Sequence, residues 1–88
     1  MIRNPMTFLL KVIDMYPSLN IMPDRRPANL GMDVLVSVKE EEARYIAMNI
    51  RKVMGVRPLR KIEDDRYGLV IVYRFPNSKE YNERKRKR

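Results

Sequence analysis

The side chains able to do chemistry are few, and the missing ones narrow the field most. The 88 residues include no histidine and no cysteine. Without imidazole the chain lacks the commonest general base and transition-metal ligand. Without a thiol it has no thiolate nucleophile, disulfide or thiolate metal site. Thr7, Ser18, Ser37 and Ser78 have no histidine to take their protons, which excludes a hydrolytic triad. The carboxylates lie in two runs, Glu40–Glu42 and Glu63-Asp64-Asp65. Three carboxylates can hold Mg²⁺, but a metal-dependent nuclease needs them converging from separate elements, and neighbours in one turn diverge. The second run is better explained as turn chemistry and the first as complementing a helix dipole. No catalytic residue, metal ligand or cofactor is assigned, and a non-enzymatic binding protein is expected.

What remains is recognition of charge. The chain carries 19 Lys and Arg against 11 Asp and Glu, a net charge of +8. Five of the cations form one run, Arg84, Lys85, Arg86, Lys87 and Arg88. Such a run engages phosphates with salt-sensitive affinity, or serves only as a solvated end that keeps the protein soluble. In a eukaryotic host it would also suit nuclear import. A second group, Arg51, Lys52, Arg57, Arg60 and Lys61, is uninterrupted by acids. It reads as a phosphate-tracking rim, or as dipole complementation by Arg51 and Lys52 with Arg60 and Lys61 guarding a strand edge. Arg25 and Arg26 stand between Pro23 and Pro27, where a loop would offer them to a phosphate or carboxylate. Arg44, Tyr45 and Met48 share one helix face and have the composition of a protein-contact patch; the competing reading packs Tyr45 and Met48 on the segment 17–31.

The segment Arg66-Tyr-Gly-Leu-Val-Ile-Val-Tyr73 is similar, over eight residues, to the third-strand motif of RNA recognition motif domains, which stacks bases on sheet aromatics. Leu69 stands where that motif has an aromatic and Arg66 where it has glycine, and no further helix and strand follow Phe75. The chain is therefore not assigned to that family. The likeness leaves Tyr67 as a candidate stacking residue, with Tyr73 and Phe75 expected in the core.

The elements that must position these groups follow from periodicity and punctuation. Asn4-Pro5 is a helix start, with Met6, Leu9, Leu10 and Ile13 at helical spacing and Pro17 as a stop. The segment is apolar nearly all round, so a strand over 6–16 stays open. Residues 17–31 hold three prolines and read as a long surface loop. Met32–Val36 reads as a strand. Ser37–Met54 is the clearest helix, with a Ser37/Glu40 capping box, an apolar stripe through Ala43, Ile46, Ile50 and Met54, and Gly55 as its stop. Val56–Ile62 reads as an edge strand because of Pro58. Leu69–Phe75, apolar on both faces, reads as a central strand.

The expected fold is α+β: an N-terminal helix, then a split β-α-β-β unit with a three-stranded sheet in the order 1-3-2 and one long helix packed on it. Residues 1–78 form the domain, and 79–88 form a basic tail too polar to pack. The second sheet face needs a cover, and the N-terminal helix is the first candidate, a second subunit the next. No apolar run is long enough to span a membrane, and no secretory signal is visible, so a cytoplasmic protein is expected. The preferred reading is a small nucleic-acid-binding protein (RNA or DNA) that contacts the phosphate backbone through the 51–61 rim and the tail with low sequence specificity. The alternative is a protein-binding adaptor or inhibitor of the phage or mobile-element type, acting through Tyr45, Met48 and the loop arginines. A homodimer is compatible with either.

Overall fold

A computed structural model describes residues 2–27 and 30–77. It is α+β, with six elements in the order α1 (Pro5–Met15), β1 (Asn20–Arg25), β2 (Gly31–Val38), α2 (Glu40–Met54), β3 (Arg60–Asp64) and β4 (Gly68–Pro76). The four strands form one antiparallel sheet in the order β1-β2-β4-β3. The expected tail, including Arg84, Lys85, Arg86, Lys87 and Arg88, lies outside the described residues.

The open choice over 6–16 resolves as helix. The Asn4 side chain accepts hydrogen bonds from the Met6 and Thr7 amides at 2.9 and 3.3 Å, and Pro5 occupies the first turn. These contacts satisfy donors that a helix start otherwise leaves unpaired. The helix ends two residues before Pro17, where the Tyr16 amide donates to the Val12 carbonyl.

The sheet has four strands where three were expected. The extra one is β1, within the segment read as a loop. Asn20 pairs with Ser37 and Arg25 with Met32. It is an edge strand, where Pro23 forfeits no ladder bond that the fold requires, and all of its residues but Ile21 are exposed. An exposed edge needs no apolar alternation, so its sequence carries no strand signature. The expected central strand is β4, which lies between β2 and β3. The edge strand β3 begins at Arg60 rather than Val56, so Pro58 stands outside it.

The second helix begins at Glu40, and the capping box does not form. Ser37 and Val38 belong to β2, Lys39 holds the cap position without a side-chain bond, and the Ser37 hydroxyl donates to the Tyr67 carbonyl. Pairing of Ser37 with Val70 in the ladder outcompetes the cap. The other end is as expected: Gly55 adopts φ +70° and its amide donates to the Arg51 carbonyl.

Both helices pack on the same sheet face. Phe8, Leu9 and Val12 from α1 and Ala43, Ile46, Ile50 and Met54 from α2 enclose Val34, Val36 and Val38 of β2 and Ile71, Tyr73 and Phe75 of β4. The expectation that α1 would cover the opposite face is therefore incorrect. The reason is aromatic: Phe8 lies 4.9 Å from the Tyr73 ring and 5.0 Å from the Phe75 ring, in tilted geometry. Both partners point to the α2 side because strand side chains alternate.

The Tyr73 hydroxyl is buried without a hydrogen-bond partner. Burial pushes its pKa up from 10.0 to about 12, with the nearby Tyr16 adding to the rise. A raised folded-state pKa means stability is complete below the unfolded value near 10 and is lost as the pH climbs toward 12. Tyr73→Phe keeps the ring stack and removes an unsatisfied polar atom. It should be neutral or stabilising by about 1–3 kcal/mol in urea unfolding, and it should blunt the loss of stability between pH 10 and 12. Destabilisation by Tyr73→Phe would show that the hydroxyl has a partner in solution.

Candidate basic surface and open sheet face

The chain path sorts the charges. After β2 leaves the sheet at Val38, α2 must carry the chain back along it, because β3 restarts opposite Val72 and runs to Gly68. A helix of 15 residues covers about 22 Å, enough for that return. Arg51 and Lys52 in its last turn, Arg57 in the following connection and Arg60 at the start of β3 thus fall on the side where α2 ends. All are exposed. The two strand residues part company: Arg60 pairs with Val72 on the face away from the helices, whereas Lys61 pairs with Ile71 on the helix side.

Arg25 and Arg26 do not ride on a long loop. Arg25 closes β1, and the Arg26 guanidinium donates to the Leu30 carbonyl at 3.2 Å. Both line a shallow groove at the same end of the sheet, with Arg3, Asn4 and Pro5 at the start of α1 and Asn77 at the end of the described chain.

Six acids gather at the opposite end, while Asp24 and Asp33 stay near Arg25. Glu40, Glu41 and Glu42 of α2 and Glu63, Asp64 and Asp65 of the β3–β4 hairpin line one wide depression. Taken as separate runs, they gave no hint of this meeting. The signal was in the topology: the start of α2 and the β3–β4 turn both follow strand ends on one side of the sheet. Among the described residues no group of carboxylates is arranged to hold a metal ion. The Asp64 carboxylate accepts from the Arg66 and Tyr67 amides at 2.8 and 3.0 Å. Those bonds, Tyr67 first, hold its pKa below the usual value of 3.8, and the Arg66 charge assists. Tyr67, the candidate stacking residue, is 40% exposed but stands beside these acids, which disfavours an approaching phosphate.

The sheet face away from the helices has a readable pattern. Directly paired residues share a face, so Asn20, Ser37, Val70 and Ile62 form one cross-strand row. Met22, Leu35, Val72 and Arg60 form the next, and Asp24, Asp33 and Arg74 the third. Val70 and Val72 are buried yet lie outside the core between sheet and helices, while Met22 and Ile62 are exposed. Asp33 and Arg74 form a two-pronged ion pair at 2.9 and 3.0 Å. Tyr73 and Phe75 are in the core, as expected, so this face carries no β4 aromatic, and Tyr67 lines a hollow on it with Met22, Ile62 and Val70.

On the outer face of α2, Tyr45 is 69% and Met48 61% exposed beside Arg44. At that exposure neither is buried by the described residues of the segment 17–31. Among the described residues no helix is long and apolar enough to cross a membrane. No family model matches the chain, and no curated protein or solved structure shows significant similarity to it.

Because its folded pKa is depressed, Asp64 contributes stability that is present above its unfolded pKa near 3.9 and lost as the pH falls through the folded value. Asp64→Asn retains an oxygen acceptor but not the charge. Its stability, followed by circular dichroism in urea, should fall below wild type at neutral pH and converge with it in acid. Parallel curves at all pH values would remove the Asp64 charge from the turn.

Proposed function

We propose that the chain is a non-catalytic nucleic-acid-binding protein that contacts phosphates through the end where α2 finishes and β1 terminates. The supporting observation is the separation of charge. Six carboxylates line one end, whereas Arg51, Lys52, Arg57 and Arg60 lie toward the other, where Arg25 and Arg26 also stand; the sequence adds the basic run Arg84–Arg88, outside the described residues. A polyanion is attracted to one end and repelled from the other. This orients the protein on a phosphate backbone without reading sequence, as expected of contacts that position rather than specify. Such a ligand is met in the cytoplasm, or in a nucleus that the terminal basic run would help the protein enter.

The test is fluorescence anisotropy with single-stranded RNA, single-stranded DNA and duplex DNA over a salt series, for the full chain and a chain ending at Asn82. Binding should survive the truncation. Arg57→Ala with Arg60→Ala should weaken it and lower the slope of log K against log salt by about 1 per lost contact. Glu41→Ala, at the acidic end, should leave the slope unchanged. Binding that disappears with the tail, or by about 150 mM salt, would reduce the effect to non-specific attraction.

A second reading, the protein-binding adaptor, is favoured by the exposure of Tyr45 and Met48. An apolar pair ringed by Arg44 and Arg51 on one helix face suits a partner groove. Loss of nucleic-acid binding on truncation would make this the leading reading.

A further inference from the structure

The hollow at one end of the helix-free face has walls that solvent reaches. Met22, Ile62 and Tyr67 form them, each 38–42% exposed. Leu35, level with Met22, is half-buried, and the covered Val70 serves only as the floor. The hollow encloses about 290 Å³, at the lower limit of about 300 Å³ for sites that take a small molecule. Its size and lining suit a large apolar side chain from a partner better than a cofactor.

The surroundings say what must accompany that side chain. The hollow shares Asn20, Ser37, Asp64 and Tyr67 with the wide depression at the end of the sheet. Six carboxylates and one ammonium, Lys39, line that depression. An apolar socket that opens onto an anionic wall selects an apolar group with cations next to it. The Tyr67 ring, at the junction of the two, offers its face to such a cation.

We propose that the hollow docks a basic segment of a partner protein. One leucine or aromatic side chain seats among Met22, Ile62 and Tyr67, while adjacent lysines or arginines meet Glu40–Glu42, Glu63 and Asp65. Two segments of this chain have the right residue types in the wrong arrangement. Tyr81 is flanked by Glu80 and Glu83, which the acidic wall repels. Leu59 stands between Arg57 and Arg60, but its amide donates to the Val72 carbonyl at 2.7 Å, so it is fixed to the sheet and cannot thread into a hollow. The occupant therefore comes from another protein.

The probe is a fluorescein-labelled peptide, Gly-Lys-Arg-Leu-Lys-Arg-Gly, titrated with the full chain and followed by anisotropy over a salt series. A chain of net charge +8 repels this peptide overall, so binding reports a local anionic site. The peptide carries no phosphate, so the result is independent of the nucleic-acid reading. Replacing its leucine with serine should weaken binding about tenfold, and replacing its cations with glutamine at least as much. Ile62→Ser and Tyr67→Ser should each weaken it about five- to tenfold. Glu41→Lys with Asp65→Lys should weaken it about tenfold and flatten its salt dependence. All four positions are exposed, so circular dichroism should match wild type in every variant. No binding at physiological salt, or equal affinity for the leucine and serine peptides, would overturn the proposal. Tighter binding of a peptide of residues 79–88 would make this chain's own terminus the occupant, and self-association abolished by Ile62→Ser would make it a second copy; either result would also overturn it.

Discussion

The placement of one ring decides the layout of the molecule. Phe8 sits between Tyr73 and Phe75, about 5 Å from each. Tilted ring pairs of this kind contribute about 0.5–1.5 kcal/mol each beyond the area they bury, a meaningful share for a domain of this size. Because Tyr73 and Phe75 point to the α2 side of β4, Phe8 brings α1 there too. A sheet with one helix per face would have been closed on both sides. This one concentrates its aromatics on a single face and leaves valines, a leucine and an ion pair on the other. The helix-free face is thus a consequence of where the largest side chains went.

The charge separation has a similar structural origin, and part of it is ordinary. Glu40–Glu42 stand at the positive end of the α2 dipole and Arg51 and Lys52 at the negative end, where each stabilises the helix. Those residues would be placed so in a protein that binds nothing. The same account does not reach Arg57 and Arg60, which follow the helix, or Arg25 and Arg26, which belong to the far edge of the sheet. The functional reading rests on these four. Helix electrostatics explains its neighbours and leaves them over.

Much of this was legible in the chain, and the failures have particular causes. Asn4-Pro5, the Ala43–Met54 stripe, Gly55 and the doubly apolar β4 each combine local signals that agree with the fold, and each stands where it was expected. The strand β1 was hidden because an edge exposed on nearly every residue needs no alternation to be stable. Ser37 carried a valid capping signature, but its backbone was worth more in the ladder opposite Val70 and its hydroxyl found the Tyr67 carbonyl instead. The face chosen by α1 could not be read from α1, whose residues are apolar nearly all round; the deciding groups are on β4, sixty-odd residues away in the chain. The meeting of the two acidic runs is likewise a property of the topology.

Arg60 shows where helix electrostatics and sheet geometry part. It pairs with Val72 on the face away from the helices, whereas Arg51 and Lys52 complement the α2 dipole. An exposed cation on an edge strand discourages edge-to-edge pairing, so Arg60 has a structural role on β3 beside the phosphate contact proposed for it. Arg57 lies in the connection between α2 and β3, outside both elements, and neither helix dipole nor strand edge accounts for it. Of the cations in the proposed surface, it is the one that best separates a binding role from an electrostatic role within the fold.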